Sequence, residues 1–563
     1  MPINDDSFSW FNANFAAIEA SLWREELGTP TDLAWLDLSW KNPDHFWMAL
    51  HTYWKRQQGM QTKSTALSCY DFYNDLVVRQ KSHTTPAYIW FDGDNWQTLS
   101  YAELEQSVNG LAAAWEDVGV QAGETLVILY PQGPRWLTAL LAGLRLGLVI
   151  SLLPPQGNTF VQHRLEKLAP QWLVMDSLYR HRLAEVWQKI ALPNTPSSSP
   201  PTRQSHLYSG TAIIAQCFDP TSSTPDLPCP VDAASLYLGA VRDGVLSLGI
   251  KPGLACAAPD WHSMESQPAL VLAVLLNGGT WVHIELSELE KKPERLLEQH
   301  IDILGVSRSL RDLLRRNPLN GEKSWRYWFR HPAESADLTL WLDFIQKAQL
   351  QSSYSGNILW NTTLGGAIFF SSKCRGQAHH ETIPAAALCW QFGRITAPDL
   401  PCLDGSGRIA LGKEEKGKML WTPTPHILAL YLNAWHYLGN YPRGRAARTY
   451  PRQEILDVLS ACQPYLALIE ATVHGGDADP RQVLLAFGEG VDTNALQARI
   501  ETELGSEFLP DRIEVLPLLP KRNKAGGADQ EWCQFHYLTG ELYRRQRHAI
   551  YRCLSELKQK ILT

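Results

Sequence analysis

The chain has 563 residues, of which 45% are hydrophobic and 19% charged, and its formal net charge is −7. This length exceeds what one hydrophobic core organises, and the mildly acidic balance gives no general attraction to nucleic acid. There is no run of 18 uncharged apolar residues and no signal-peptide pattern, and the ten cysteines contain no C-x-x-C pair. We therefore predict a cytoplasmic protein of several domains, with no membrane span, nucleic-acid partner or metal site.

Alternating helix and strand patterns begin near residue 97. Helical spacing of apolar residues predicts a helix within 98–120, and the apolar run after it predicts a buried strand. A second helix and strand follow within 134–155, and a Pro/Ser-rich loop occupies 192–204. The α/β pattern resumes between 241 and 316. Such alternation is typical of βαβ units around a parallel sheet.

The pattern of predicted helices and strands changes after about residue 440. Helix, strand, strand, helix and strand patterns follow in that order, and a basic helix ends the chain. We predict lead-in helices over 1–80 that pack on the core, a large domain over 81–440 and a small α+β domain over 441–563. The predicted fold class is α/β, with a large N-terminal region of parallel or mixed doubly wound sheets.

Several segments in this order resemble the adenylate-forming (AMP-binding, acyl-CoA synthetase) superfamily, and within it the acetyl-CoA synthetases. They lie at 39–54, 85–147, 259–285 and 505–527. The resemblance implies a large N-terminal α/β region with a small mobile C-terminal domain. It also implies an enzyme that activates a carboxylate with ATP and Mg²⁺ as an acyl-adenylate, and then transfers the acyl group to CoA.

The family's phosphate-binding loop, T-S-G-T-T-G-x-P-K-G, is altered in this chain. Glycines in such a loop let backbone N–H groups approach phosphate oxygens, and the lysine neutralises their charge. The corresponding residues here are Thr221, Ser222, Ser223, Thr224, Pro225, Asp226, Leu227, Pro228, Cys229 and Pro230. Both inner glycines and the lysine are replaced, and no Lys or Arg occurs between Arg203 and Arg242. This segment is therefore predicted to be a surface loop that no longer holds a triphosphate.

Three further motifs of the family are also altered. W-Q-T-E-T-G-G reads "WNTTLGG", formed by Trp360, Asn361, Thr362, Thr363, Leu364, Gly365 and Gly366. The resemblance implies a Mg²⁺-holding carboxylate where Thr363 stands, and an acyl-pocket role for Trp360. The ribose motif T-G-D ends in Asn440 instead of aspartate. The catalytic-lysine motif L-P-K-T-x-x-G-K reads "LPKRNKAGG", so Gly526 takes the lysine position and Lys524 is the candidate replacement.

Losses at four motifs on the ATP side lead to one leading hypothesis and two alternatives. The leading hypothesis is a pseudoenzyme that acts as a binding or scaffold subunit for a small acyl or CoA-type ligand, or for an acyl-carrier protein. The first alternative is an active AMP-forming ligase that makes an acyl-CoA or acyl-carrier thioester through a rebuilt site with Lys524. The second is ATP-independent thioester chemistry in the same pocket. ATP, Mg²⁺ and CoA are cofactors by resemblance alone, and the oligomeric state is left open.

Overall fold

The structure is a computed structural model of the chain. The residues that it describes are 43–60, 68–82, 84–154, 157–180, 182–218, 227–261, 266–332, 338–370, 374–375, 383–384, 391–397, 400–402, 406–415, 418–431, 434–440, 452–472, 480–524 and 526–548. They divide into two compact units. The first takes the described residues up to Pro154 and from Lys167 to Gly439, and the second takes those within 155–166 and from Asn440 onward.

The helices and strands follow one another in mixed order along the chain. The helices are α1 Pro43–Gln57, α2 Phe72–Leu76, α3 Tyr101–Asp117, α4 Pro134–Leu146, α5 Asn158–Leu168, α6 Ser177–Arg180, α7 Glu185–Lys189, α8 Ala233–Arg242, α9 Ala269–Leu276, α10 Leu286–Lys291, α11 Arg308–Arg316, α12 Leu338–Lys347, α13 Arg452–Ser460, α14 Thr493–Glu503 and α15 Gln530–Leu538. The strands are β1 Cys69–Tyr70, β2 Pro86–Phe91, β3 Trp96–Ser100, β4 Thr125–Leu129, β5 Val149–Leu152, β6 Trp172–Met175, β7 Tyr208–Ser209, β8 Ile213–Phe218, β9 Pro228–Asp232, β10 Ala255–Ala257, β11 Thr280–His283, β12 Ile303–Gly305, β13 Tyr327–Arg330, β14 Tyr354–Asn361, β15 Gly366–Phe370, β16 Cys374–Arg375, β17 Ile383–Pro384, β18 Gln391–Ala397, β19 Leu400–Cys402, β20 Ser406–Glu415, β21 Lys418–Tyr431, β22 Ala434–Asn440, β23 Leu466–Thr472, β24 Pro480–Phe487 and β25 Arg512–Leu516.

Two mixed sheets form the α/β part of the first unit. The larger has the order β17-β15-β14-β13-β12-β10-β11-β2-β3, with β16 also paired to β14. Its six strands from β14 to β2 pair in parallel, and the pairs beyond them are antiparallel. The second sheet, β6-β4-β5-β8-β9, is parallel except for the β8–β9 pair. The predicted class of large mixed α/β region with a smaller C-terminal domain is confirmed.

Helix ends in the first unit follow from local chemistry. Ser100 and Glu103 form a capping box at the start of α3, with the Ser100 backbone N–H donating to Glu103 Oε2 at 2.8 Å. Helix α4 begins at Pro134 and ends at Gly147, whose φ of 83° suits glycine. Every residue of α9 is buried, which places this apolar helix in the core.

The Pro/Ser-rich segment 192–204 contains no helix, and hydrogen bonds hold it against α3. The Ser197 backbone N–H donates to the carbonyl oxygen of Gly110 at 2.8 Å. Nε1 of Trp115 donates to the carbonyl oxygen of Pro193 at 3.0 Å. These bonds satisfy backbone groups of the loop that would otherwise need water.

The first unit also contains a sheet that the sequence analysis did not anticipate. This sheet has the order β19-β18-β20-β21-β22, and its β18–β19, β18–β20 and β20–β21 pairs are antiparallel. Strand β13 was also missed, because it lies beyond residue 316, where the predicted α/β pattern ends. All four of its residues are buried, so no polar residue alternates with the apolar ones.

The second unit is a three-stranded sheet with helices. Its order is β23-β24-β25, where the first pair is antiparallel and the second parallel. The described residues within 155–166 pack on α14 and on the short turn after that helix. Thr159 Oγ1 donates to Glu503 Oε2 at 2.9 Å, and the rings of Phe160 and Phe508 lie 5.0 Å apart. The predicted boundaries at 80 and 440 stay predictions.

Candidate functional site

The altered phosphate loop lies between β8 and β9, which form an antiparallel pair. Loop positions Thr221, Ser222, Ser223, Thr224 and Asp226 lie outside the described residues. Cys229, at the family's lysine position, is described and lies within β9, directly opposite Cys217 of β8. The position that should carry a cation is therefore part of a paired strand.

The N-terminus of α8 follows this loop and already has an anionic cap. Asp232 accepts hydrogen bonds from the Ser235 backbone N–H at 2.8 Å and from the Ser235 hydroxyl at 2.9 Å. A helix N-terminus attracts anions because its first N–H groups lack partners inside the helix. Here the carboxylate of Asp232 occupies that position.

The "WNTTLGG" turn lies directly on α8. Residues 362–364 form one turn of 3-10 helix that also contacts β8 and β9. A Cβ atom on Gly365 would lie 2.4 Å from the carbonyl oxygen of Ser235. Two segments that are more than 120 positions apart in the sequence are thus brought together, as the resemblance implies for residues of one site.

Asn361 and Thr363 are hydrogen-bonded to each other within this turn. Asn361 Oδ1 accepts from the Thr363 backbone N–H at 3.0 Å and from Thr363 Oγ1 at 2.6 Å. The hydroxyl that stands in place of the family's carboxylate is therefore already bonded, and a neutral hydroxyl is a poor ligand for Mg²⁺. Thr362 is fully buried below the turn.

Trp360 is buried at the end of β14, next to the turn. Only 2% of its surface is exposed, and its Nε1 has no hydrogen-bond partner within the described part of the chain. Buried indole N–H groups usually find a partner. Five other buried indoles share this feature among the described residues, so the unpaired donor alone does not mark a ligand site. They are Trp47, Trp54, Trp261, Trp281 and Trp328.

Arg242 and Asp243 form a buried ion pair that the sequence analysis missed. Arg242 Nε lies 2.7 Å from Asp243 Oδ1, and both side chains are fully buried. Arg242 Nη2 donates to the carbonyl oxygen of Ala367 at 2.7 Å, and the Ala367 N–H donates to Asp243 Oδ2 at 2.7 Å. Burial raises the pKa of the Asp243 carboxyl, against the opposing effect of Arg242. The signal was present, since an adjacent Arg and Asp interrupt an apolar run.

This ion pair joins the end of α8 to β15, the strand that follows the "WNTTLGG" turn. From residue 243 to 248 the helix continues with π-helical bonding and ends at Gly249. The nearest cation in sequence to the altered loop is thus committed to Asp243 and Ala367.

Two predicted positions belong to the second unit. Asn440 is the last residue of β22. Lys524 belongs to the second unit, where it is exposed in a turn that the Asn523 N–H closes by donating to the Gly527 carbonyl at 2.8 Å. Gly526, at the family's lysine position, has a φ of 89°. Nothing around Lys524 in the described part of the chain buries or orients its amine.

The described residues at the motif positions do not fit ATP with Mg²⁺. A carboxylate caps the helix end, the replacement for the Mg²⁺ carboxylate is an internally bonded hydroxyl, and Arg242 is buried in an ion pair. Among the described residues, no group of three His, Cys, Asp or Glu side chains is placed to hold a metal ion. Within the same residues, no helix is long and apolar enough to span a membrane.

Comparisons with known proteins agree with the resemblance. The model of the AMP-binding enzyme family matches residues 77–238. No curated protein matches the chain. Acetoacetyl-CoA synthetase from Streptomyces lividans is similar in structure, with a TM-score of 0.63 and 13% identity, covering 94% of this chain and 93% of its own.

Two other solved structures show the same fold. A double mutant of o-succinylbenzoate CoA synthetase from Bacillus subtilis, bound to the product analogue OSB-NCoA, has a TM-score of 0.63 and 16% identity, covering 82% of this chain and 98% of its own. An artificially fused adenylation–PCP di-domain NRPS from Klebsiella oxytoca has a TM-score of 0.64 and 13% identity, covering 79% of this chain and 93% of its own. The predicted resemblance to the adenylate-forming superfamily is therefore confirmed, and the chain has the fold of these enzymes.

Proposed function

We propose that this acyl-CoA synthetase-like protein has lost ATP-dependent adenylation and acts as a binding or scaffold subunit. The observation that carries the proposal is the Asp232 carboxylate at the N-terminus of α8, bonded to both the N–H and the hydroxyl of Ser235. Two like charges about 4 Å apart repel by about 4 kcal/mol at an effective dielectric constant of 20. A triphosphate at this helix end would meet that repulsion without a cation from the segment between Arg203 and Arg242.

The hydrogen bonding of Thr363 supports the same proposal. Its hydroxyl donates to Asn361 Oδ1 at 2.6 Å, which closes the turn on itself. Mg²⁺ bound to a nucleotide prefers anionic oxygen ligands from the protein. Cys229 at the lysine position and Thr363 at the carboxylate position thus leave the phosphates without a cation and Mg²⁺ without an anionic ligand from these two motifs.

The retained part of the site suggests what is still bound. Trp360 keeps its place beside the turn, and its buried N–H has no partner among the described residues. The similar structures include one bound to a CoA-product analogue and one that carries a PCP domain. We therefore infer a small acyl or CoA-type ligand, or an acyl-carrier protein, as the partner. We also propose a cytoplasmic location, as the sequence pattern indicates.

The test is a set of thermal unfolding and calorimetric titrations on the full chain with ATP·Mg²⁺, AMP, CoA and acetyl-CoA. A ligand at 100 times its Kd raises the free energy of unfolding by roughly 2.7 kcal/mol. We expect no stabilisation by ATP·Mg²⁺ at millimolar concentration, and stabilisation by CoA or acetyl-CoA. A clear rise in Tm with ATP·Mg²⁺ would overturn the proposal.

A matched pair of variants separates the site from general stability. Trp360→Phe removes the indole N–H beside the turn, whereas Trp281→Phe removes a buried indole on β11. We expect Trp360→Phe to weaken acyl-ligand binding and Trp281→Phe to leave it unchanged. Equal effects in both variants would remove Trp360 from the proposed pocket.

A further inference from the structure

Cys217 and Cys229 lie directly opposite each other in the antiparallel pair of β8 and β9. Pro228 and Pro230 flank Cys229 and lie opposite the two neighbours of Cys217. Proline has no backbone N–H, so neither flanking pair can exchange two hydrogen bonds, and the cysteines form the hydrogen-bonded pair. The Cα atoms of such a pair are about 5.5 Å apart. Disulfides most often have Cα atoms about 5.5–6 Å apart, so the backbone spacing suits a bridge.

The two thiols also have the access that stepwise oxidation requires. Directly opposed residues of an antiparallel pair have side chains on the same face of the sheet. Cys217 is buried, with 7% of its surface exposed, whereas Cys229 is partly exposed. No disulfide joins them in the structure. A reagent would therefore reach Cys229 first and Cys217 only through it.

This arrangement is particular to these two residues. In the strand registers of the described residues, no other two cysteines lie opposite each other. Cys69 and Cys462 are exposed, and Cys256 and Cys533 are buried. These four cysteines are internal controls, because their reaction with a reagent depends on exposure and not on an opposed cysteine in a strand register.

We propose that Cys217 and Cys229 are a redox-active dithiol that closes to a disulfide on reaction with a low-molecular-weight disulfide such as glutathione disulfide. The Cys229 thiolate attacks one sulfur of the reagent, which forms a mixed disulfide and releases one glutathione thiolate. The Cys217 thiolate then attacks Cys229 Sγ, which forms the protein disulfide and releases the second glutathione. The protein loses two hydrogens and the reagent gains them as two molecules of glutathione.

The bridge would join the two strands that border residues 219–226. It would also place a covalent bond at the position where the resemblance has a phosphate-binding lysine. Oxidation would thus lock the pairing of β8 with β9 at this position by a covalent bond. This inference stands on strand register and access, and it does not depend on whether adenylation is lost.

The sequence makes the test direct. No Lys or Arg lies between Arg203 and Arg242, so trypsin releases Cys217 and Cys229 in one peptide that has no other cysteine. The full-length protein is incubated with glutathione disulfide, alkylated with N-ethylmaleimide, digested without reductant and analysed by mass spectrometry. We expect this peptide to lack two hydrogens and to carry neither glutathione nor maleimide.

Two single variants test the order of events. Cys217→Ser should keep glutathione on Cys229, because nothing displaces it. Cys229→Ser should leave the buried Cys217 without glutathione. Wild-type peptide that carries two maleimides or a lasting glutathione adduct would overturn the proposal, as would a bridge to Cys69 or Cys462. Circular dichroism of both variants confirms that they are folded before the comparison is made.

Discussion

Gly239 and Gly365 bring the backbones of α8 and of the "WNTTLGG" turn into contact, since a Cβ atom on Gly239 would lie 1.8 Å from the Gly365 carbonyl oxygen. Alanine in place of glycine inside a helix usually stabilises it by about 0.5–1 kcal/mol. Here we expect Gly239→Ala to lower the free energy of unfolding by about 1–3 kcal/mol, because backbone atoms must move. Equilibrium denaturation in guanidinium chloride measures the difference.

A second helical glycine provides the control for this prediction. A Cβ atom on Gly143 of α4 would also be too close to a neighbour, at 2.4 Å, but that neighbour is Cδ1 of Ile150. A side-chain end can turn away, whereas the Gly365 carbonyl is fixed in its turn. Gly143→Ala should therefore cost less than Gly239→Ala. The reverse order would show that the contact between α8 and the turn is loose.

The buried Arg242–Asp243 pair gives a second prediction. Asp243→Ala leaves a guanidinium buried without its carboxylate, and breaking a buried pair in this way typically costs about 3–5 kcal/mol. Replacing both residues, as Arg242→Met with Asp243→Leu, removes both charges and should cost less than Asp243→Ala alone. The free energies of unfolding of the two variants test this order.

The exposed pair of Lys189 and Glu185, 3.2 Å apart, is the control for that experiment. Both side chains are mostly solvent-exposed, and exposed pairs contribute about 0–1 kcal/mol. Glu185→Ala should change stability little. If the double replacement at Arg242 and Asp243 costs as much as Asp243→Ala, the loss comes from packing and not from an unpaired charge.

The elements of the large region could be predicted where each one has its own local signal. Helix α3 has a capping box at Ser100, and the apolar run at β4 is bounded by turn residues. Strand β13 had no such signal, because burial on both faces removes the alternation of polar and apolar residues. The five-stranded sheet that contains β20 and β21 was also missed. Which strands pair depends on contacts between residues of different strands, and sequence periodicity does not reveal these contacts.

Only some positions of the candidate site could be predicted, again because only some of them have a local signal in the sequence. Motif spacing identified the positions of Cys229, Trp360 and Thr363 through the resemblance. The cap made by Asp232 is a local pattern, an acidic residue just before a helix, and it was open to prediction. The contact between Gly239 and Gly365 was not, because it joins residues far apart in sequence through their backbones.

His51 makes a third prediction, on the pH dependence of stability. Burial, followed by the charge of Lys55, lowers the pKa of His51 from 6.5 to about 3. Its ring stacks on Trp54 with centroids 5.4 Å apart. Since the folded-state pKa is the lower one, the stabilising contribution is complete above pH 6.5 and is lost as the pH falls toward about 3. Because one pKa unit corresponds to about 1.4 kcal/mol, a fall of the pKa from 6.5 to about 3 amounts to roughly 5 kcal/mol at the acid limit.

His51→Phe keeps an aromatic ring on Trp54 and removes the titrating group. The difference in unfolding free energy between the natural protein and this variant should change steadily between pH 6.5 and about 4, with the natural protein losing more. His548→Gln, which removes an exposed ring, is the control. A constant difference between His51→Phe and the natural protein across this range would contradict the prediction.

Lys524 separates the proposed pseudoenzyme from an active ligase. Its side chain is exposed in a turn of the second unit, so Lys524→Ala should change stability by less than about 0.5 kcal/mol. If the protein has lost adenylation, carboxylate-dependent pyrophosphate exchange is absent before and after this change. Lys521→Ala is the matched control, since Lys521 is in the same turn but pairs with Asp529 at 3.0 Å.

Restoring side chains extends the same prediction. Cys229→Lys adds a cation on β9, but Asp232 still caps α8 and Thr363 still replaces a carboxylate. We expect Cys229→Lys to show no exchange. We expect its combination with Asp226→Gly and Thr363→Glu to regain ATP binding before any turnover, because the added lysine offsets the repulsion from Asp232 and the added glutamate supplies a ligand for Mg²⁺. Catalysis also needs an oriented lysine, and Lys524 in its exposed turn is not oriented. Exchange by the natural protein that disappears in Lys524→Ala and persists in Lys521→Ala would establish the ligase instead.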